Sequence, residues 1–483
     1  MTVAELAPPT RTRTPWPMLV VLLLGHFMAL LDTTIVNVAV PTIRAELGAS
    51  GAALQLVIGG YAIAYSMLLI TGARLGDIHG RRRVYLAGVA IFAVSSLVCG
   101  LAPNIGVLIA ARLVQGAAAA MTVPQVMSII QLRFTGQARA VAFSAYSAVM
   151  SVGMVLGLVV GGVLVNADLF GTSWRPIFMV NVPIAVVILA LLPRLLPADA
   201  PAGSRRLDVS GLAVSLPAVS LVVAPLVLGR EYGWPAWTFA AMAAGVGLLV
   251  VLVGMEQRIR ARGGDPLIDV AVLRRPGLAL GITTLALLMA AFAGFLFTFS
   301  LHLQAGLGDT ALRTGMTLAP MAVVFGAVGF SWARLPASVQ HLLPAVALAL
   351  CTVGYLGLVV GLRNGSQTGP ALWVALSSIG AGLGLGIGTL VTHSVRFVPP
   401  AQVGDASGLL MSALQLAGVV GVAAIGGVFL AHDEPGAVGW TRAISTTAMS
   451  TTAWVLAAAA AAGVVAAAAL ARSIAIRRRA EAR

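Results

Sequence analysis

PMLVVLLLGHFMALLDTTIVNVAV, residues 17–40, decides how this chain is read. As a helix it is long enough to cross a hydrocarbon core about 30 Å thick, which takes roughly 20 apolar residues. Yet it carries Asp32 in its second half. A carboxylate in hydrocarbon is costly and is functional by default; of the 16 acidic residues in the chain, Asp32 is the one expected deep inside a span. Arg11 and Arg13 precede the run as they would in a signal peptide. The run is too long for an h-region and holds an acid, so it reads as a retained first helix.

The same pattern recurs. Apolar runs between charged or Pro/Gly punctuation place further spans near 53–73, 84–101, 106–127, 140–165, 176–196, 209–229, 236–256, 276–299, 313–332, 341–361, 370–392, 406–430 and 446–470. Composition agrees: 59% of residues are hydrophobic, 10% are charged and the mean hydropathy is +0.98, where a soluble domain carries about 25% charged residues. The expected fold class is an all-α polytopic membrane protein of about fourteen transmembrane helices.

The net charge of +14 comes from basic residues that are all arginine, scattered between apolar runs. They form no stripe with interleaved aromatics, which excludes nucleic acid as a partner. With the N-terminus inside, most fall in cytoplasmic loops, the positive-inside pattern of a bacterial inner-membrane protein. An even number of spans returns Arg477–Arg479 to the cytoplasm as well. Trp16, Trp174, Trp234, Trp237, Trp332, Trp373 and Trp440 fall at span ends, as an interfacial belt would. The absence of lysine removes the Walker-type phosphate loop and with it direct ATP drive. Cys99 and Cys351 lie in spans, so neither a disulfide framework nor a cysteine metal site is expected. His26, His79, His302, His341, His393 and His432 are dispersed without metal-ligand spacing. Neither cofactor, metal nor enzymatic chemistry is therefore expected.

Four strings carry the candidate chemistry. The fourth span, LIAARLVQGAAAAM (108–121), holds Arg112, the one arginine expected inside a span. At 1.5 Å per residue, Asp32 and Arg112 lie roughly 13 and 9 Å below the outer surface, close enough in depth to pair directly or through Gln115 or water. A change in pairing or water access would load or release a proton. ARLGDIHGRRRVYL (73–86) is a short turn in which Gly76 and Gly80 permit a tight bend and Asp77 can latch against a helix N-terminus beside Arg81, Arg82 and Arg83. SVGMVLGLVVGGVL (151–164) spaces Gly153, Gly157 and Gly161 one turn apart, with Gly162 beside them, a pattern for close helix packing. GAGLGLGIG (380–388) superficially matches a dinucleotide fingerprint, but no strand precedes it. Phe292, Phe295 and Phe299 share one face of the ninth span and, with Asn37, are candidates to line a substrate pocket; packing or lipid contact is the competing reading for the phenylalanines.

Together these strings resemble the major facilitator superfamily, and within it the fourteen-helix drug:proton antiporter branch of the EmrB/QacA type. LDTTIVNVAVP (31–41), ARLGDIHGRRR (73–83), ARLVQGAAAA (111–120) and GMVLGLVVGG (153–162) are similar to its helix and loop motifs, as are WRPIFMVNVP (174–183), LHLQAGLGDTALRTGMTLAP (301–320) and VGDASGLLMSALQLAGVVG (403–421). Ala73, Ile78 and Leu158 depart from the usual Gly, Arg and Pro. The resemblance implies a cytoplasmic tail (1–16), a six-helix bundle (17–200), two inserted helices (201–257), a cytoplasmic linker (258–275), a second six-helix bundle (276–470) and a basic cytoplasmic tail (471–483). It implies that Asp32 couples proton and substrate with help from Arg112, and that Asp77 latches against the start of the penultimate helix near Asp405 and Ser407. The function so implied is proton-driven export of a small amphipathic drug, antibiotic or secondary metabolite by a monomer whose partners are protons, that small molecule and the lipid bilayer. A nutrient or metabolite importer of the same fold is the main alternative, and a non-transporting membrane receptor is the alternative from another class.

Overall fold

The computed structural model describes residues 16–197, 209–229, 232–262, 270–275, 277–362, 369–395, 398, 403–432 and 441–481. Among them there is no strand. The helices in chain order are α1 (Trp16–Leu47), α2 (Gly51–His79), α3 (Arg81–Gly100), α4 (Ile105–Arg133), α5 (Gly136–Ala167), α6 (Asn181–Leu195), α7 (Val209–Leu228), α8 (Ala236–Ala261), α9 (Leu278–Leu301), α10 (Ala311–Ser331), α11 (Leu343–Leu362), α12 (Pro370–Ser394), α13 (Val403–Leu430) and α14 (Arg442–Glu481). Local sequence explains several starts. Ser50, Asn104 and Thr310 accept hydrogen bonds from the backbone N–H groups of Ala53, Val107 and Arg313, capping α2, α4 and α10. Gly80, at φ +90°, breaks the chain between α2 and α3 in a conformation that a side chain would strain.

Twelve helices are long and apolar enough to cross a membrane among the described residues; α5 and α7 contribute the shorter apolar stretches Leu156–Ala167 and Ser210–Leu226. Some boundaries differ from expectation. α1 runs through Pro41 to Leu47, because lipid and neighbouring helices tolerate a proline inside a span. The expected 176–196 span is present as Pro176–Leu195, a short helical turn at Pro176–Met179 leading into α6. Residues 471–481 continue α14 as helix, since a run of arginines leaves the membrane without ceasing to be helical. In the expected linker, the first residues belong to α8, a short 3-10 turn occupies Val270–Arg274, and 263–269 lie outside the described residues, as do residues 1–15 of the N-terminal tail.

Packing repeats with an offset of eight helices. The partners α1·α5, α2·α4, α3·α4, α1·α6 and α3·α6 are matched by α9·α13, α10·α12, α11·α12, α9·α14 and α11·α14. The two groups meet along α5·α10 and α2·α13, which the same offset exchanges. α7 pairs with α8 and also lies on the α2·α13 seam, where Val223 is buried with Ala52, Val419 and Ala423. Among the described residues, contacts between the groups include, at the end of the molecule opposite the arginine-rich turn, Gln304 Nε2 donating to the Val38 carbonyl at 2.8 Å and the backbone of Gly162 abutting Ala311, and, further along the α2·α13 seam, Ser412 Oγ donating to the Ser66 carbonyl at 3.2 Å.

The glycine strings are explained by this packing. A Cβ on Gly380, Gly382 or Gly384 would fall 2.1–2.6 Å from the Met321, Ala347 or Phe325 carbonyl oxygens, so GAGLGLGIG is a surface of α12 pressed against α10 and α11. On α5, Gly153, Gly157 and Gly161 face Leu30, Thr34 and Ile35 of α1, while Gly162 faces α10.

Candidate functional site

Asp32 and Arg112 meet directly inside the first group of helices, with 0% and 1% of their surfaces exposed. The arginine Nη1 donates to Asp32 Oδ2 and, at 2.7 Å, to Gln115 Oε1. Asp32 Oδ1 accepts from Gln115 Nε2 and Asn181 Nδ2, both at 2.9 Å. Gln115 Nε2 also donates to Ser96 Oγ at 2.7 Å. On its other side the guanidinium donates through Nε to the Val57 carbonyl at 2.9 Å and stacks over the rings of Tyr61 (4.5 Å) and Phe178 (5.7 Å). α1, α2, α3, α4 and α6 thus each contribute a group, and the described contacts to the carboxylate come from this half alone. A buried ion pair is stabilised when its remaining polar atoms are hydrogen-bonded; here the amides, the hydroxyl and the carbonyl answer the pair, while Asn181 Oδ1 has no partner among the described residues.

Beside the pair lies a narrow cleft with a cavity volume of about 20 Å³, lined by Thr34, Leu158, Phe292, Met321, Ala322, Phe325, Leu383 and Ile387. It draws on α1, α5, α9, α10 and α12, so it sits between the two helix groups. Its lining is apolar apart from one hydroxyl. Thr34 and Asp32 are two residues apart, about 200° around α1; the helix therefore stands between the cleft and the ion pair.

The other expected residues separate. Of the phenylalanines, Phe292 lines the cleft, whereas Phe295 and Phe299 stack on each other at 5.0 Å with Phe295 against Tyr355 at 5.7 Å, inside the second helix group. A pocket role is corrected to core packing for these two. Asn37 is buried and its Nδ2 donates to Thr33 and Thr34 carbonyls of its own helix. Asp77 accepts from Arg81 Nη2 at 2.6 Å and Arg81 Nε donates to Ser128 Oγ at 2.8 Å, tying the turn to α4. Gly76 is helical, not part of the bend; its missing side chain makes room for Gln125, whose Nε2 donates to the Gly72 carbonyl at 2.7 Å. Arg82 is partly buried where α3 begins. Asp405 is in the first turn of α13, and its side chain, like that of Ser407, lies outside the described residues. Trp174, expected at the interface, is wholly buried against Phe178. Ser96, Asn181 and Tyr61 complete the site without having been singled out; Asn181 sits in the quoted string WRPIFMVNVP, the only signal that pointed near it.

A model of the Major Facilitator Superfamily matches residues 22–422. The chain belongs to the major facilitator superfamily. Among its relatives are the "Probable actinorhodin transporter" of Streptomyces coelicolor, 38% identical over 86% of this chain and 72% of that protein, and the cephamycin export protein of Amycolatopsis lactamdurans, 35% identical over 86% and 85%. A multidrug efflux pump of Mycolicibacterium smegmatis is 30% identical over 88% and 83%. Solved major facilitator structures share the fold: one of a proton-dependent oligopeptide transporter has a TM-score of 0.68 at 15% identity, covering 96% of this chain and 100% of that one. A bacterial homologue of the lysosomal transporter Spinster, inward-facing and unoccupied, gives 0.66 at 19% identity, covering 97% and 99%.

Proposed function

We propose that this chain is a proton-coupled exporter of small amphipathic compounds, such as drugs, antibiotics or secondary metabolites, working by alternating access. It acts as a monomer in the bacterial inner membrane with both termini cytoplasmic. α5 and α7 join the twelve apolar helices to make fourteen crossings, as in the EmrB/QacA branch. Bundles 17–200 and 276–470 rock about the cleft, with the inserted pair 201–257 at the side.

One observation carries the mechanism: Asp32 and Arg112 form a closed, neutral, hydrogen-bonded pair. Protonating Asp32 strands a guanidinium in hydrocarbon, which costs several kcal/mol unless its surroundings rearrange. Proton binding is thereby tied to movement of α1, α4 and α6. Because α1 also walls the cleft through Thr34, the same movement alters the substrate site. Asp77, Arg81 and Arg82, with Gly76 and Gly80 shaping the turn, brace the cytoplasmic gate against α13 near Asp405. Gly153, Gly157, Gly161 and Gly162 let α5 slide on α1 and α10. Each proton entering down 100 mV supplies about 2.3 kcal/mol. Relatives named as a probable actinorhodin transporter, a cephamycin export protein and a multidrug efflux pump support cargo of this kind.

Everted membrane vesicles test the reading. Wild-type protein is expected to accumulate an amphipathic probe when the interior is acidified, and Asp32→Asn to lose that proton dependence. Proton-dependent uptake by the mutant overturns the mechanism; flux in the opposite direction makes the chain an importer, and binding without flux makes it a receptor.

A further inference from the structure

His26 of α1 is 3% exposed, and among the described residues neither of its ring nitrogens has a hydrogen-bond partner. Its ring lies flat on Tyr146 of α5, with centroids 4.2 Å and planes 13° apart. A neutral imidazole presents one donor and one acceptor, and burying both unanswered costs the fold free energy that an aliphatic side chain would not. Packing alone therefore gives no reason for a histidine here. Its position supplies one. His26 is two turns along α1 from Thr34, about 12 Å, and the α1·α5 seam that brings it to Tyr146 is the seam that brings Thr34 and Leu158 together at the cleft. Tyr65 of α2 packs against the same buried cluster as Tyr146 and stacks on Tyr61 at 6.1 Å.

We infer that His26, with Tyr146 and Tyr65, forms a recognition subsite for uncharged planar aromatic compounds bearing phenol or quinone groups. The imidazole edge meets a hydroxyl or carbonyl, the tyrosine rings take the flat face, and the α1·α5 seam leads on to the cleft at Thr34 and Leu158. The inference rests on the export reading and names its substrate class. It accounts for the unanswered nitrogens: they are answered by cargo.

The test compares 1,8-dihydroxyanthraquinone with tetraphenylphosphonium, which offers the imidazole no partner. In everted vesicles, His26→Leu is expected to raise the half-saturating anthraquinone concentration about tenfold, the effect of one lost hydrogen bond, and to shift tetraphenylphosphonium far less. His26→Gln, which keeps a donor and an acceptor, restores most of the loss. The purified His26→Leu protein melts at the wild-type temperature or above, which a structural histidine would not allow. Equal shifts for the two probes, no shift, or a lower melting temperature overturn the subsite. Should wild-type vesicles move neither probe, the export reading fails, and anthraquinone fluorescence with purified protein then decides the subsite alone: weaker binding by His26→Leu upholds it, while equal or absent binding refutes it.

Discussion

At the scale of single residues, the Asp32–Arg112 pair makes a prediction that separates stability from coupling. Asp32→Asn leaves the guanidinium buried without its counter-charge, and breaking a buried pair from one side costs about 3–5 kcal/mol. The double variant Asp32→Asn/Arg112→Met removes both charges and is expected to regain most of the lost thermal stability in detergent while remaining uncoupled in vesicles. A double variant as unstable as the single one would show that the network, not the stranded charge, sets the cost. Asp309 makes a second prediction outside the spans. Burial raises its carboxyl above the ordinary aspartate range, Arg313 and Arg442 oppose this, and among the described residues Oδ2 has no hydrogen-bond partner. The native state then holds the proton more tightly than the unfolded chain, so stability contributed here falls as pH rises from about 4 upward. Asp309→Asn should flatten that part of the melting-temperature profile; an unchanged slope would refute the assignment. Asp32, Arg112 and Gln115 were legible from sequence because an ionic group inside an apolar run has few bland explanations. Ser96, Asn181 and Tyr61 were not, because neutral polar residues are common in spans and nothing in their spacing says which face looks inward.

At the scale of helices, the glycine stripe of α5 is a groove in which α1 lies. A methyl on Gly157 would sit 2.0 Å from Thr34 Oγ1 and 2.8 Å from the Leu31 carbonyl. Gly157→Ala is therefore expected to destabilise by about 1–3 kcal/mol, as overpacking does, and to slow transport. Gly247→Ala on α8, where nothing lies within 4 Å, should instead stabilise by about 0.5–1 kcal/mol. Parallel melting curves of the two variants check the contrast, and a stabilised Gly157→Ala would remove the groove. The existence of each helix could be read from run length, since the bilayer sets the minimum. Helix ends could not. Apolarity marks where membrane stops, and α1 and α14 both continue past that point. The phenylalanine stripe of α9 was open between pocket and packing for a related reason: a shared face is visible in sequence, but whether neighbouring Tyr355 or open space waits opposite it is not.

For the whole molecule, the eight-helix offset makes two similar halves that meet along α5·α10 and α2·α13. Gly51 of α2 abuts Leu430 of α13 at the end opposite the arginine-rich turn, 2.7 Å from a built Cβ to Leu430 Cδ1. Cysteines at these two positions, joined by a short bifunctional thiol reagent, are expected to stop transport, with cleavage of the linker restoring it; undiminished flux in the cross-linked protein would show that this end need not open. The native Cys99 and Cys351 are buried and should not compete for the reagent. The division of labour between the halves has an evolutionary corollary. The charge-bearing network belongs to the first half, whereas Phe292, Met321, Phe325, Leu383 and Ile387 of the cleft belong to the second. On the proposed reading, in which the pair couples protons and the cleft holds cargo, mutations in the second half reshape what is carried and leave the coupling network untouched, so an inherited pump is retuned one apolar side chain at a time.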